Sequence, residues 1–322
     1  MPLRNDGDRW VTENGKERMT TLSSARLRGV FPVLQTPFDD SDAIDEPTLR
    51  REIEWVFDCG AHGVTLAMVS EILRLDHHER QCLAAVVCDA ARELGPVVVS
   101  VGAESTKVAV SLACHAESIG AAAVMAIPPL SLTLQGTELV EYFSAITEAI
   151  TIPVIVQDAS SYVGSPIPIS VQRELLDRYG ERIYFKPEAQ PLGPRLSELL
   201  AATDGKARVY DGSGGIALID TYRRGIVGTM PGADLCWAIV RLWNLLNAGD
   251  LDAAYRLSLP LSALIGMQTT LGSYVTIEKY LLYQQKIFHN TTCRGPLDYT
   301  LDPTTTLQID AYFTLLRAAC DD

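Results

Sequence analysis

Eight short apolar segments, each followed by a helical pattern, constrain the fold of this chain more than any other feature. They run from about residue 29 to residue 248, and their residues are apolar throughout rather than alternating with polar ones. Such segments are typical of parallel strands whose outer face is covered by helices. Eight successive strand–helix units predict an α/β fold, a (β/α)8 TIM barrel. A doubly wound sheet is the alternative, which the lack of a G-x-G-x-x-G after the first strand disfavours.

The boundaries of these segments divide the chain into three parts. The predicted strands cover residues 29–36, 63–68, 97–101, 122–127, 153–157, 183–186, 208–211 and 225–230. The predicted helices between and after them cover residues 48–59, 77–94, 106–119, 136–150, 170–179, 194–202, 215–222 and 235–248, and three more follow at 251–267, 273–288 and 304–319. We therefore expect a poorly ordered N-terminal extension over residues 1–26, a barrel over 27–249 and a helical C-terminal region over 250–322.

Composition narrows the class of protein. A net charge of −13, with no cluster of Lys and Arg, argues against a nucleic-acid partner. No apolar run reaches the roughly 18 residues that a membrane span needs. The seven cysteines include no C-x-x-C pair, which is typical of reduced thiols in a cytoplasmic protein. The five histidines show no metal-ligand spacing, so we expect no metal site.

Lys186 is the residue that points to chemistry. It stands near the end of the predicted sixth strand, in Phe185-Lys186-Pro187-Glu188. A buried cation is costly unless it is paired or used, and parallel α/β proteins place their active sites at strand ends. A lysine amine that loses water there can become a nucleophile for ketones. The alternative interpretation is a lysine that extends its charged end into water.

Five segments of the chain carry a resemblance to a known family. In order they are GVFPVLQTPF at 29–38, EILRLDHHER at 71–80, IPVIV at 152–156, Phe185-Lys186 and GIVGTM at 225–230. With these segments, residues 29–288 resemble the dihydrodipicolinate synthase / N-acetylneuraminate lyase family of Schiff-base barrels. The resemblance implies that a 2-oxo acid such as pyruvate forms an imine on Lys186 without an added cofactor, and that the chain forms a homo-oligomer, a dimer or a tetramer.

The family's hydroxyl relay is missing from this sequence. The family's G-T-T-G-E is replaced by Ala-Met-Val-Ser-Glu at 67–71, and the strand-five tyrosine is replaced by Gln157. Leu130 follows Pro-Pro where a second tyrosine is usual, and Tyr162 stands where an arginine often follows strand five. The pairs at 70–71 and 128–129 and the segments at 156–159 and 185–188 are similar to a 2-keto-3-deoxy-L-arabonate dehydratase-like branch.

The candidate site residues follow from these matches. Glu188 lies two residues after Lys186, so both side chains point the same way on an extended segment. It is a base or a partner for the lysine, or alternatively a simple ion pair at the barrel rim. Gln157 can hydrogen-bond substrate but cannot relay a proton. Tyr162, Glu71 or a water molecule must therefore transfer protons, although for Glu71 we favour support of the loop.

The substrate-binding candidates come from three loops and the end of the eighth strand. Ser70 is expected to anchor the substrate carboxylate, and the glycine-rich loop at 211–215 to approach the ligand closely. The residues expected to contact substrate are Met68, Val69, Ser70, Glu71, Leu130, Gly212, Ser213, Thr229 and Met230.

Together these features predict a Schiff-base lyase that dehydrates a 2-keto-3-deoxy sugar acid or cleaves it by a retro-aldol reaction. Dihydrodipicolinate synthesis is a weaker prediction because the hydroxyl relay is absent. The alternative is a non-catalytic barrel that binds a 2-oxo acid and has lost turnover. A metal-dependent barrel enzyme is disfavoured by the lack of clustered ligands.

Overall fold

Eight parallel strands close into a barrel. The computed structural model describes residues 27–321, with side chains to residue 320, so the predicted extension at 1–26 lies outside the described residues. The strands are β1 Gly29–Val30, β2 Val64–Leu66, β3 Val97–Ser100, β4 Ala123–Ala126, β5 Val154–Asp158, β6 Ile183–Pro187, β7 Tyr210–Asp211 and β8 Gly228–Thr229. One sheet holds β2 to β6 in order, and the other holds β7, β8 and β1.

Two parallel bridges join these sheets. Val33, shortly after β1, pairs with Thr65 of β2. Phe185 of β6 pairs with Val209, just before β7. The closed (β/α)8 barrel is therefore confirmed, and the doubly wound alternative is wrong. The first ladder is shorter than the predicted 29–36, since Pro32 has no N–H to donate and interrupts it.

The helices surround the barrel and then continue beyond it. The first eight are α1 Glu46–Asp58, α2 His77–Ala90, α3 Thr106–Ser118, α4 Gly136–Ala149, α5 Ile169–Tyr179, α6 Leu192–Ala202, α7 Leu218–Arg223 and α8 Cys236–Ala248. Three more follow, α9 Leu251–Ile265, α10 Leu271–Gln284 and α11 Pro303–Asp321. None of the helices in the described residues is both long and apolar enough to cross a membrane.

Side chains alternate between two apolar cores. Val97 and Val99 pack outward against the helices, whereas Val98 packs inside the barrel with Met125 and Ile155. Both faces of each strand are thus buried, which explains the continuous apolar runs in the sequence. On β6 the inward position after Tyr184 is Lys186, and its neighbour in register on β5 is Gln157. The alternation therefore delivers both polar side chains to the inside of the barrel at its carboxyl end.

The C-terminal region does more than extend the barrel. Helix α10 begins at Leu271 after Thr270, whose hydroxyl accepts a 3.2 Å hydrogen bond from the Ser273 N–H. The helix packs against the short 3-10 helix Met68–Ser70 that follows β2. It therefore lies over the barrel mouth and contributes side chains there. The predicted boundary between barrel and C-terminal region stays a prediction.

Candidate active site

A small cavity opens where the strands end. It encloses ≈ 40 Å³ of space that water can occupy, room for about three water molecules. Its walls combine β-strand ends, the loops that follow them and helix α10. The lining residues are Val33, Ala67, Met68, Val69, Gln157, Tyr162, Lys186, Glu188, Gly212, Gly214, Met230, Gly232, Leu271, Tyr274 and Glu278.

Lys186 and Glu188 form a buried ion pair in this cavity. Lys186 is 4% exposed and Glu188 5%. The Lys186 Nζ donates to Glu188 Oε1, and Gln157 Nε2 donates to Glu188 Oε2 at 3.1 Å. Within the described residues, Glu188 is the one hydrogen-bond partner of Nζ. Burial raises the pKa of Glu188, although Lys186 and Gln157 oppose that shift by stabilising the carboxylate.

The glycine-rich loop after β7 makes room for this pair. A Cβ at Gly212 would lie 2.6 Å from Glu188 Cγ, so only glycine leaves Glu188 where it is. Ser213 does not line the cavity, because its Oγ donates to Asp211 Oδ2 at 2.9 Å. The Thr229 Oγ1 likewise donates to Asp211 Oδ2, at 3.2 Å. Ser213 and Thr229 thus hold Asp211 and are absent from the cavity lining, and their contact with substrate stays a prediction.

In the loop after β2, some residues line the cavity and others stabilise the loop itself. Met68 and Val69 line the cavity, and among the described backbone hydrogen bonds none is donated by either residue. The Ser70 hydroxyl donates to the Leu34 carbonyl and accepts from the Ala67 N–H at 3.1 Å. Ser70 therefore closes its own turn and is absent from the lining, and its role as the carboxylate anchor stays a prediction.

Glu71 also turns away from the cavity. Its carboxylate pairs with Lys279, lies 3.3 Å from Arg74 Nη1 and accepts from the Arg294 N–H at 2.9 Å. Such a set of partners ties the β2 loop to the C-terminal region. The structure is thus consistent with loop support, and Glu71 is absent from the cavity lining.

Aromatic and apolar side chains form the remaining wall. Tyr162 lines the cavity, and its ring meets that of Tyr274 edge-on at 5.4 Å between centroids. Burial raises the pKa of the Tyr162 hydroxyl, which therefore keeps its proton near neutral pH. Met230 lines the cavity as expected. Leu130 packs near Tyr162 but lines a neighbouring cavity of ≈ 160 Å³ instead.

Helix α10 supplies three lining residues that the sequence did not reveal, Leu271, Tyr274 and Glu278. The available signal was weak: Glu278 and Lys279 are adjacent charges within an otherwise uncharged helix. The sequence gives no indication of which face of that helix covers the barrel mouth. Across residues 27–320 no group of three or more His, Cys, Asp or Glu side chains is arranged to hold a metal ion.

Comparison with known proteins places this geometry in a family. The model of the dihydrodipicolinate synthetase family matches residues 26–310, nearly the whole of the described chain. The chain belongs to the dihydrodipicolinate synthetase family. This confirms the family predicted from the strand-end motifs, and it places the chain among lyases.

Three proteins that are similar to this chain illustrate the range of activities named among its relatives. An L-2-keto-3-deoxyarabonate dehydratase of Azospirillum brasilense is 30% identical over 255 residues, 76% of this chain and 81% of that protein. The crystal structure of a dihydrodipicolinate synthase from Rhodopseudomonas palustris is 27% identical with a TM-score of 0.83, covering 90% of this chain and 98% of that one. A Ruminococcus gnavus sialic acid aldolase shares the fold at 19% identity and a TM-score of 0.83, covering 92% and 99%.

Proposed function

We propose that this protein is a Schiff-base lyase that dehydrates a 2-keto-3-deoxy sugar acid through an imine on Lys186. The observation that carries the proposal is the amine itself. The Lys186 Nζ is buried, opens on a small cavity and contacts a single carboxylate. A 2-oxo acid that enters this cavity meets a nucleophile and a proton acceptor side by side.

The Lys186–Glu188 contact supports the first step. Glu188 takes a proton from the Lys186 ammonium, and the free amine attacks the C2 carbonyl carbon. Glu188 then returns that proton to the carbinolamine oxygen and moves a second proton from the nitrogen to the same oxygen, which leaves as water when the C=N bond forms. The imine supplies the electron sink, so the proposal needs no added cofactor. With its carboxylate restored, Glu188 is the base that removes a proton from C3.

The backbone of the β2 loop supports binding of the substrate carboxylate. Met68 and Val69 line the cavity, and neither N–H donates a hydrogen bond among the described backbone hydrogen bonds. Backbone N–H groups are good donors to an anion. They replace the hydroxyl groups that the sequence lacks at 68 and 69, so the Ser70 side chain is not required.

Dehydration is favoured over cleavage by two features. The relative with 30% identity over most of its length is named as an L-2-keto-3-deoxyarabonate dehydratase. Retro-aldol cleavage requires a base to remove a proton from the C4 hydroxyl group, and Gln157 stands where the family has a tyrosine. Gln157 cannot accept a proton at neutral pH, whereas Glu188 can accept one from C3.

Borohydride trapping tests the imine. The protein is reduced with sodium borohydride in the presence of pyruvate or of 2-keto-3-deoxy acids of different length, and the intact mass is measured. We expect an adduct on wild type and none on Lys186→Ala. Peptide mapping provides an internal control, because Lys279 is equally buried but ion-paired elsewhere. An adduct on Lys279, or no adduct with any 2-oxo acid, would overturn the proposal.

Steady-state turnover separates an enzyme from a binding barrel. We expect the acid that gives most adduct to be converted to a dehydrated product with release of water. Release of pyruvate from it would instead identify retro-aldol cleavage. Adduct formation without any product would support the non-catalytic alternative.

A further inference from the structure

The cavity contains a second carboxyl group in an environment opposite to that of Glu188. Glu278 of α10 is 2% exposed and lines the same cavity. Whereas Glu188 contacts the Lys186 ammonium, Glu278 has no ion pair within the described residues, and its Oε2 accepts from Gln35 Nε2. A carboxyl group beside a cation is stabilised in its ionised form, whereas a buried one without a cation keeps its proton. Two such groups in one site are therefore suited to different roles.

Two further carboxyl groups lie beside Glu278. A Cβ at Gly232, which lines the cavity, would overlap both Glu278 Oε1 and Asp234 Oδ1. Glu52 joins the cluster through Gln35, whose N–H donates to Glu52 Oε1 at 2.9 Å. The Glu52 Oε2 and Asp234 Oδ2 atoms are buried without hydrogen-bond partners among the described residues. An ionised carboxylate that is buried without a cation is very costly. The carboxyl groups of Glu278, Asp234 and Glu52 are therefore expected to be protonated.

The electrostatics agree with that arrangement. Burial, followed by the charges of Asp234 and Glu52, raises the pKa of Glu278 well above its ordinary value. Burial raises the pKa of Asp234 to about 7. Within the described residues, the other titratable groups facing the cluster are the Tyr274 hydroxyl, the Cys236 thiol and Lys279, and Lys279 is engaged by Glu71. Because Gln35 donates to Oε2, the proton of neutral Glu278 lies on Oε1, the oxygen next to Gly232.

We propose that Glu278 is the general acid of the elimination, donating its Oε1 proton to the departing hydroxyl group while Glu188 is the base. This inference rests on the proposed imine at Lys186. Glu188 removes the C3 proton, and the C–H electrons form the enamine. The enamine electrons then form the C3=C4 bond, the C4–O bond breaks, and the Glu278 proton converts the leaving oxygen to water. Afterwards Glu188 loses its proton to solvent and Glu278 regains one through Asp234.

The variant Glu278→Gln tests this role, with Glu52→Gln as the matched control. Glu52 belongs to the same cluster but is not among the lining residues. We expect Glu278→Gln to form the borohydride adduct with pyruvate as wild type does, and to lose dehydration by about 10²–10⁴-fold. Glu52→Gln should retain dehydration within about threefold of wild type.

A fluorinated substrate distinguishes acid catalysis from a structural effect. In an analogue with fluorine in place of the departing hydroxyl group, fluoride leaves without a proton. Glu278→Gln should therefore eliminate fluoride at a rate near that of wild type. Failure to do so, loss of the pyruvate adduct in a folded variant, or retained dehydration would each overturn the role of Glu278. If wild type also forms no adduct, the proposed imine fails instead.

Wild type alone provides a second test that does not depend on folding of a variant. The acid acts in its protonated form, so kcat for the hydroxyl substrate should fall as pH rises through the pKa of Glu278. The fluoride substrate should lack that decline. Identical pH profiles for the two substrates would overturn the proposal.

Discussion

Two buried Lys–Glu pairs in this protein differ in one respect that decides their chemistry. Lys186 pairs with Glu188 at the barrel mouth, and Lys279 pairs with Glu71 between α10 and the β2 loop. Both lysines are almost fully buried, at 4% and 0% exposed. Burial and an ion pair are therefore shared features, and neither feature alone identifies a reactive amine.

The two pairs differ in what each lysine ammonium contacts besides its glutamate. Lys279 Nζ also donates to the Thr292 carbonyl at 2.7 Å and lies 4.6 Å from the centre of the Phe38 ring. Lys186 contacts Glu188 and otherwise opens on a cavity. An amine enclosed by partners stabilises the fold, whereas an amine with an open side can reach a carbonyl carbon. The following predictions test that distinction.

The largest effect is expected from Lys186→Ala. Because Lys186 is the one lysine among the described lining residues, both the borohydride adduct and turnover should be lost completely. Thermal unfolding checks that the variant is folded. Residual turnover by a folded Lys186→Ala protein would contradict the comparison, since it would mean that the open amine is dispensable.

Glu188→Gln removes the base but keeps a side chain of the same size. We expect turnover to fall by about 10²–10⁴-fold, because an amide can neither take the lysine proton nor the C3 proton. The adduct with pyruvate should still form, more slowly, during a long incubation. Rapid-quench measurement of adduct formation gives the rate. An unchanged rate would assign Glu188 to a simple ion pair.

Lys279→Met breaks the enclosed pair and should act on stability instead. Loss of one partner leaves Glu71 buried with weakened compensation, so the free energy of unfolding should fall by about 3–5 kcal/mol. Urea unfolding measures this change. At temperatures where the variant is folded, adduct formation at Lys186 should match wild type. A selective loss of the adduct would instead couple the two pairs.

Asp234→Asn tests a buried carboxyl group that forms no ion pair with a lysine among the described residues. The pKa of Asp234 is about 7 in the fold and ordinarily 3.8, so folding stabilises its protonated form. That stabilisation is complete below about pH 4 and is lost as pH rises through 7. Wild type should therefore lose up to about 1.4 kcal/mol per pH unit in this window relative to the variant. Urea unfolding at pH 5 and pH 8 measures the difference, and equal pH slopes would contradict it.

The barrel and Lys186 were predictable because local pattern determines them. Continuous apolar runs report strands buried on both faces, and alternation along β6 then fixes which way Lys186 points. Gln157, Glu188 and Met230 reach the cavity for the same reason.

The sequence is least informative where distant segments meet. Glu71 finds its partner 208 residues later in the chain, at Lys279, and no local pattern contains that information. Three residues have the polar groups expected of a binding site but use them in local hydrogen bonds. Ser70 donates to the Leu34 carbonyl, and Ser213 and Thr229 donate to Asp211. Tyr274 and Glu278 were missed because the docking of α10 is a tertiary contact.

The position of α10 over the barrel mouth also has a consequence for synthesis of the chain. Every strand of the barrel has left the ribosome before residue 271 is made, so the barrel can close while the cavity still lacks Tyr274 and Glu278. Such a nascent barrel already presents Lys186 to small carbonyl compounds. The full set of polar groups exists only once α10 has docked, so we expect capture of a 2-oxo acid to precede competence for elimination.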